Sequence, residues 1–362
     1  MSVMKERPIL SDVQRFIVEA VAEDRSDVAR QAVERFGLTR QAVNQQIRRL
    51  TAADVLRAKG HTRSRTYTLV AFRRWKQTYP IGIDLGEDAV WRDGVAPLLA
   101  DLPENVRNIA NYGVTEMVRN AQDHSGSATV TVSVSGTAAA ITITVADDGV
   151  GVFRKIRDVA RLADERHAVL ELHKGRLTTD PAGHSGDGVF FTSRMFDEFV
   201  LRSGHLALTY RRRSEDWSVV EHPLVAGTRV QMKIRPWARQ TDRAVFARHA
   251  ATPGDFDFQR THVMVALAQA EDERLISRSQ AQRVMARLDG FAEVVLDFRG
   301  VTFVGPAFAD EMFRVFPAAH PKVTLIPMYA AEDVERMIRR ADHDPAPTPL
   351  PAPAPEPQDT EA

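Results

Sequence analysis

A multidomain α+β chain is the fold class this sequence predicts, on three observations. At 362 residues the chain exceeds what one hydrophobic core ordinarily organises, so two or three domains are expected. Its apolar periodicity changes twice: helical stretches with a hairpin, then a helix followed by alternating strands, then regular strand–helix alternation. Its charge is divided. Residues 1–80 hold 16 Lys+Arg against 8 Asp+Glu, a balance of +8, and the rest holds 32 against 40, a balance of −8. A basic end on a neutral chain points to a nucleic-acid partner.

Composition narrows the class further. Hydrophobic residues at 44% and charged residues at 27% are globular values and exclude a disordered or fibrous chain. There is no cysteine, which excludes disulfides, thiolate metal sites and thiol nucleophiles. Met1 to Asp27 lacks the pattern of a secretory leader. No stretch approaches the ~20 apolar residues of a membrane-spanning helix. A cytoplasmic protein without membrane contact is the expectation.

Residues 1–80 read as three helices and a hairpin. Ser11 caps a helix with Val13, Phe16, Ile17 and Ala20 at helical spacing. Ser26 is expected to start a second helix, facing Val28, Ala29, Ala32, Val33 and Phe36 inward and stopped by Gly37. Thr39 caps a third. Its inner face is Ala42, Val43, Ile47 and Leu50, and its outer face is Arg40, Gln41, Asn44, Gln45 and Arg48. Val55–Tyr67 suggests two strands around Gly60, with Arg63 and Arg65 near the turn.

Residues 81–104 read as a lead-in helix. Residues 105–240 follow as a helix, two strands, an irregular charged stretch, a helix and further strands. Val130, Val132 and Val134 share a face in one strand, as do Ile141, Ile143 and Val145 in the next. The charged stretch 152–185 looks like a mobile lid.

Four local signals occur here in one order. Glu116 and Asn120 lie four apart on a helix and therefore share a face. There a carboxylate can act as base while the neighbouring amide oxygen binds a hard cation. Asp147-Asp148-Gly149-Val150-Gly151 follows a strand. A carboxylate there can accept from an exocyclic amine, and glycines let backbone approach a flat base. Gly183-His184-Ser185-Gly186-Asp187-Gly188 precedes a helix, where backbone N–H groups can hold phosphates. Gly227-Thr228 enters a further strand.

Taken together, these signals resemble the GHKL (Bergerat) ATP-binding superfamily over about residues 95–235. The Asn120-Ala121 pair followed by His124 is most similar to the anti-sigma-factor kinases. The resemblance implies a Bergerat α/β sandwich, with Glu116 as general base and Asn120 as Mg²⁺ ligand. It also implies Asp147 on the adenine amine, Gly149 and Gly151 at the base, Gly183, Gly186 and Gly188 at the phosphates, and Thr228 in the third box. The cofactors implied are ATP and Mg²⁺. His124 reads as a structural helix-end residue. Arg154, Lys155, Lys174 and Arg176 are candidates only for the lid. The N-terminal segment resembles a winged helix-turn-helix. That implies base contacts from Arg40, Gln41, Asn44, Gln45 and Arg48, and phosphate contacts from Arg63 and Arg65 on the wing.

Residues 256–341 alternate strand and helix, with strand cores Val263–Leu267, Val294–Phe298 and Val323–Ile326, which argues a small α/β sandwich. The stretch Val294-Val295-Leu296-Asp297-Phe298-Arg299-Gly300 and the following Ala307-Phe308-Ala309-Asp310-Glu311 resemble STAS-like domains. In phosphorylatable members a hydroxyl residue follows the strand. Here Gly305-Pro306-Ala307 stands there, and Thr302 precedes the turn. Asp310 reads as a helix-surface acid. Residues 342–362 form a proline-rich tail without a core.

The whole therefore reads as an ATP-dependent transcriptional or signalling regulator: a DNA-binding unit, a nucleotide switch and a STAS-like docking unit, docked within the chain or between chains. Two other readings remain open. One is an enzyme, either a slow ATPase or a protein serine/threonine kinase of the anti-sigma type acting on a separate partner. The other is a non-catalytic DNA-binding scaffold. No helix pair of the kind that carries a phosphoacceptor precedes the domain, which argues against a histidine autokinase.

Overall fold

Capping decides where the first helices begin. In the computed structural model, which describes residues 9–60, 65–82, 85–175, 177, 186–250, 258–269 and 274–343, α1 (Asp12–Ala22) opens with a reciprocal box. The Gln14 amide donates to Ser11 Oγ, and the Ser11 amide donates to Gln14 Oε1. α2 (Val28–Phe36) starts at Asp27, in a left-handed conformation with no side-chain cap. Ser26 is therefore not its cap; its carbonyl instead accepts from Gln31 Nε2. Gly37, at φ +63°, ends α2. Thr39 Oγ1 accepts from the Ala42 amide at 3.2 Å and starts α3 (Arg40–Ala52). Val43, Ile47 and Leu50 are buried, while Arg40, Gln41, Asn44, Gln45 and Arg48 are exposed. β1 (Leu56–Lys59) and β2 (Thr66–Leu69) pair antiparallel. Arg65 is exposed just before β2, whereas Arg63 lies outside the described residues.

One residue after β2 the chain enters β3 (Ala71–Pro80), which pairs antiparallel with β4 (Thr129–Thr137) of the central unit. The N-terminal unit therefore ends near residue 70 rather than at 80. The reason lies in the alternation of β3. Trp75 and Tyr79 stand opposite Val134 and Val130 and pack on the core.

The lead-in segment is helical, as α4 (Glu87–Ala89) running into turns at Val90–Val95 and Ala96–Leu99. Then come α5 (Glu104–His124), β4, β5 (Ile141–Asp147), α6 (Val152–Ala160), α7 (Glu165–Lys174), α8 (Gly188–Met195), β6 (Glu198–Arg211), β7 (Asp216–Ile234) and α9 (Asp242–His249). The sheet order is β3-β4-β5-β7-β6, antiparallel throughout. Val132, Ile143 and Met232 share its buried face, each such side chain stabilising the fold by about 1.5–3 kcal/mol. Gly113 lets α5 approach this face, because a Cβ there would stand 2.6 Å from the Phe196 ring.

The charged stretch after residue 152 is not irregular. α6 buries Phe153 and Ile156, and α7 buries Ala168 to Lys174. Its charges are misleading because most lie on the outer side of two amphipathic helices. Glu171 and Lys174 are the exceptions, since both are buried.

The C-terminal unit comprises β8 (Arg260–Met264), α10 (Arg278–Met285), β9 (Glu293–Asp297), α11 (Pro306–Asp310), α12 (Phe316–Ala319), β10 (Thr324–Met328) and α13 (Glu332–His343). Its three strands are parallel in the order β10-β9-β8. β8 ends at Met264, earlier than the apolar run to Leu267, because Val265–Ala268 turns into a 3₁₀ helix. α7 joins this unit to the central one. Lys174 Nζ donates to the Arg283 and Ala286 carbonyls, and the Lys174 carbonyl accepts from Thr261 Oγ1 at 2.6 Å. No described helix is long and apolar enough to cross a membrane.

Candidate functional site

A cavity of about 260 Å³ opens between α5, α6 and the sheet, lined among others by Glu116, Asn120, Asp147, Gly186, Gly188 and Thr228. Helical spacing on α5 places Glu116 and Asn120 one turn apart on the cavity side. Asn120 Nδ2 is buried and has no hydrogen-bond partner among the described residues. A buried amide donor left unpaired costs roughly 1–3 kcal/mol, so a polar group entering the cavity would relieve it. Burial raises the pKa of the neighbouring Tyr112, and the charges of Glu116 and Asp187 push it the same way.

Asp147 ends β5 with Oδ1 accepting from the amides of Gly149 (3.0 Å) and Thr228 (3.2 Å). Burial raises the pKa of this carboxyl, against the pull of those two amides. The surrounding glycines are required by close approach. A Cβ on Gly149 would overlap the Ser125 carbonyl, and one on Gly188 would overlap Glu116 Oε2. Gly151, at φ +84°, would place a Cβ 2.5 Å from Ser203 Oγ. Gly186 is also left-handed, at φ +75°, and a Cβ there would overlap the Leu177 backbone.

Thr228 braces the site from within. Besides donating its amide to Asp147, its Oγ1 accepts from the Val152 amide at 3.0 Å, so it joins β5, α6 and β7. Gly183 and Arg176 fall outside the described residues. Of the basic candidates, Lys155 lines the cavity, and its Nζ donates to the His124 carbonyl at 2.8 Å. Arg154 is exposed near Asp158, and Lys174 is buried in the junction with the C-terminal unit. His124 is the last residue of α5 and also borders the cavity. Sequence reasoning missed Ser125 and Ser203. Single serines carry no motif, and only the fold brings them beneath Gly149 and Gly151.

In the C-terminal unit, Asp297 is fully buried at the end of β9. Burial alone would raise its pKa, but hydrogen bonds from His262 and Arg299 outweigh that and hold it down to about 2. Arg299 also donates to the carbonyls of Ser214 and Glu215 between β6 and β7. This strand end, with its helices and parallel order, accompanies a match of residues 280–335 to the family model described as a STAS-like domain of unknown function (DUF4325). The C-terminal unit is STAS-like. No curated protein matches the chain. At the usual acceptor position of the STAS-like unit, Gly305 is the N-cap of α11 and Pro306 its first residue, so no hydroxyl is offered there. Asp310 is an ion-paired surface acid, held by Arg314 and Arg278.

Proposed function

We propose that the chain is an ATP- and Mg²⁺-binding regulator of the GHKL type, whose nucleotide site communicates with the STAS-like unit and whose N-terminal unit binds DNA. The observation that carries this reading is the cavity that joins Asn120, with its unpaired Nδ2, to the Asp147 carboxylate. These residues fit the nucleotide. Asp147 offers a carboxylate oxygen to the exocyclic amine. Gly149 and Gly151 leave room where any side chain would collide. Asn120 offers one amide oxygen to a cation. No cluster of three or more acidic or imidazole ligands stands among the described residues. That suits Mg²⁺, which is usually held by one or two protein groups together with phosphate oxygens. Bound Mg²⁺–ATP would supply a phosphoryl group activated for transfer. On this reading Glu116 takes the proton from an attacking hydroxyl or water.

The link to the STAS-like unit runs through α7. Leu172 lines the cavity, while Glu171 and Lys174 are buried at the junction. A ligand that shifts Leu172 therefore acts on the helix that holds the junction, which is the differential contact a switch requires. Calorimetric titration of Mg²⁺–ATP is expected to give binding to the parent chain and none to Asn120→Ala. Phosphate release, followed in parallel, separates a switch from a catalyst. Transfer of label to protein, lost in Glu116→Ala, would identify a kinase, and label recovered only as free phosphate an ATPase. Absence of binding to the parent would sink the nucleotide reading.

The DNA reading rests on α3, where Arg40, Gln41, Asn44, Gln45 and Arg48 stand exposed beyond a buried Val43–Ile47–Leu50 stripe. Arg48→Ala is expected to cost about 1–3 kcal/mol on the preferred sequence and little on others. Equal losses on all sequences, measured by competition binding, would rule out base readout by this residue.

A further inference from the structure

The central sheet has a second face, turned away from α5 and α8, and its chemistry is unlike that of the cavity. Register assigns its positions. Arg74, Ser135, Thr142, Lys233 and Glu198 stand in one row across the five strands. Lys76, Ser133, Thr144, Gln231 and the buried Val200 stand in the next, and Thr78, Thr131, Ala146, Arg229 and Arg202 in a third. These positions alternate with the buried Val132, Ile143 and Met232, as the period of two requires. None of the middle-strand positions is buried, and Arg74, Lys76, Thr78, Ser135 and Arg229 are exposed.

The face carries five cations, Arg74, Lys76, Arg202, Arg229 and Lys233, and one acid, Glu198. That acid lies 3.5 Å from Arg211. The side chains of the five cations make no ion pair or hydrogen bond among the described residues. Arg202 and Arg229 stand directly opposite each other on neighbouring strands, an arrangement of like charges that destabilises a sheet. No described residue offsets that repulsion.

We propose that this open face binds the phosphate backbone of duplex DNA, independently of sequence. Five strands at about 4.8 Å spacing span roughly 19 Å. Duplex DNA presents one charge per about 1.7 Å of axis, so such a span faces on the order of ten phosphate charges. The hydroxyls of Thr131, Ser133, Ser135, Thr142 and Thr144 supply neutral donors between the cations. The three rows contain no aromatic residue, and so no platform for stacking unpaired bases, which favours a duplex over a single strand. The face is also continuous with the N-terminal unit. Arg57 and Lys59 lie exposed on β1, opposite Thr68 and Thr66 of β2, and β2 leads through Val70 into β3. Thr68 and Arg74 are separated by at most about 20 Å of extended chain.

The test uses the full chain and a fluorescently labelled random-sequence duplex, with binding followed by anisotropy across a salt series. The variant Arg74→Gln/Lys76→Gln/Arg229→Gln is expected to bind about tenfold or more weakly. Its slope of log affinity against log salt should fall by about 0.9 for each phosphate that is no longer neutralised. Arg74→Lys/Arg229→Lys, which keeps the charge, should retain the parent slope. The glutamine variant should melt no lower than the parent, since it removes repulsion only. An unchanged slope and affinity in that variant would overturn the proposal, as would binding of the parent to phosphatidylserine vesicles but not to the duplex. Arg48→Ala separates this idea from base readout by α3: on the random-sequence duplex it should leave affinity nearly unchanged while the glutamine variant loses affinity and slope, and the reverse pattern would overturn the sheet-face proposal.

Discussion

Substituting Lys174 by alanine is expected to destabilise the chain by about 3–5 kcal/mol, the usual result of stripping one partner from a buried ion pair. Lys174 and Glu171 are almost fully buried, at 1% and 2% side-chain exposure, with Nζ 2.6 Å from Glu171 Oε1. The remaining two Nζ hydrogens are used on the Arg283 and Ala286 carbonyls at 2.9 and 3.0 Å. Burial lowers the pKa of Lys174, and Glu171 opposes that shift. Desolvation therefore outweighs the attraction of the carboxylate, and the pair persists because all three donors are satisfied. Arg287, 3.3 Å from Glu171 Oε2, is too exposed to replace the lysine. Replacing both charges together, as Lys174→Met with Glu171→Leu, should recover most of the loss. Urea unfolding checks both variants. A Lys174→Ala change within experimental error of the parent would mean that the pair does not hold the junction.

The second large effect is expected at the cavity, and it rests on the nucleotide reading. Asp147→Asn should weaken ATP binding by about 100-fold, corresponding to about 2.8 kcal/mol, the upper part of the range for a hydrogen bond to a charged group. The Asp147 carboxylate is the only form that can accept on both oxygens. Its pKa is raised by burial, so affinity should fall with decreasing pH earlier than an ordinary carboxyl near 3.9 would require. The sign follows from the shift: above the raised pKa the acceptor is charged and binding is full, and below it protonation removes one acceptor. Titrations of the parent and Asp147→Asn across a pH series test this. A parent affinity that stays flat with pH, together with an unaffected variant, would remove Asp147 from the site.

Much of the architecture is legible because it is written in local chemistry. The capping residues Ser11 and Thr39, the left-handed Gly37 and the alternating Val130/Val132/Val134 each act over a few residues, and each appears where its chemistry requires. Ser26 fails as a cap because Asp27 takes a left-handed conformation and starts α2 without one. The stretch after residue 152 reads as irregular in sequence because its charge density is high. Its helices are amphipathic, and the decisive residues are the few charges that point inward.

The sequence by itself determined the three N-terminal helices and their hairpin, the outward polar face of α3, and the placing of Glu116, Asn120, Asp147 and Thr228 that line the cavity. Spacing on one helix and glycines at strand ends are local properties that survive without tertiary knowledge. The tertiary structure decided what depends on distant partners. It placed β3 in the central sheet, because Trp75 and Tyr79 find Val134 and Val130. It made Thr228 a brace for Asp147 rather than an isolated motif residue. It turned Lys174 from a lid candidate into the buried tie to the STAS-like unit. It also gathered five cations from β3, β6 and β7 onto one face. Burial and neutralisation depend on what packs against a side chain, and residues as far apart as 174 and 283 meet only when the chain is folded.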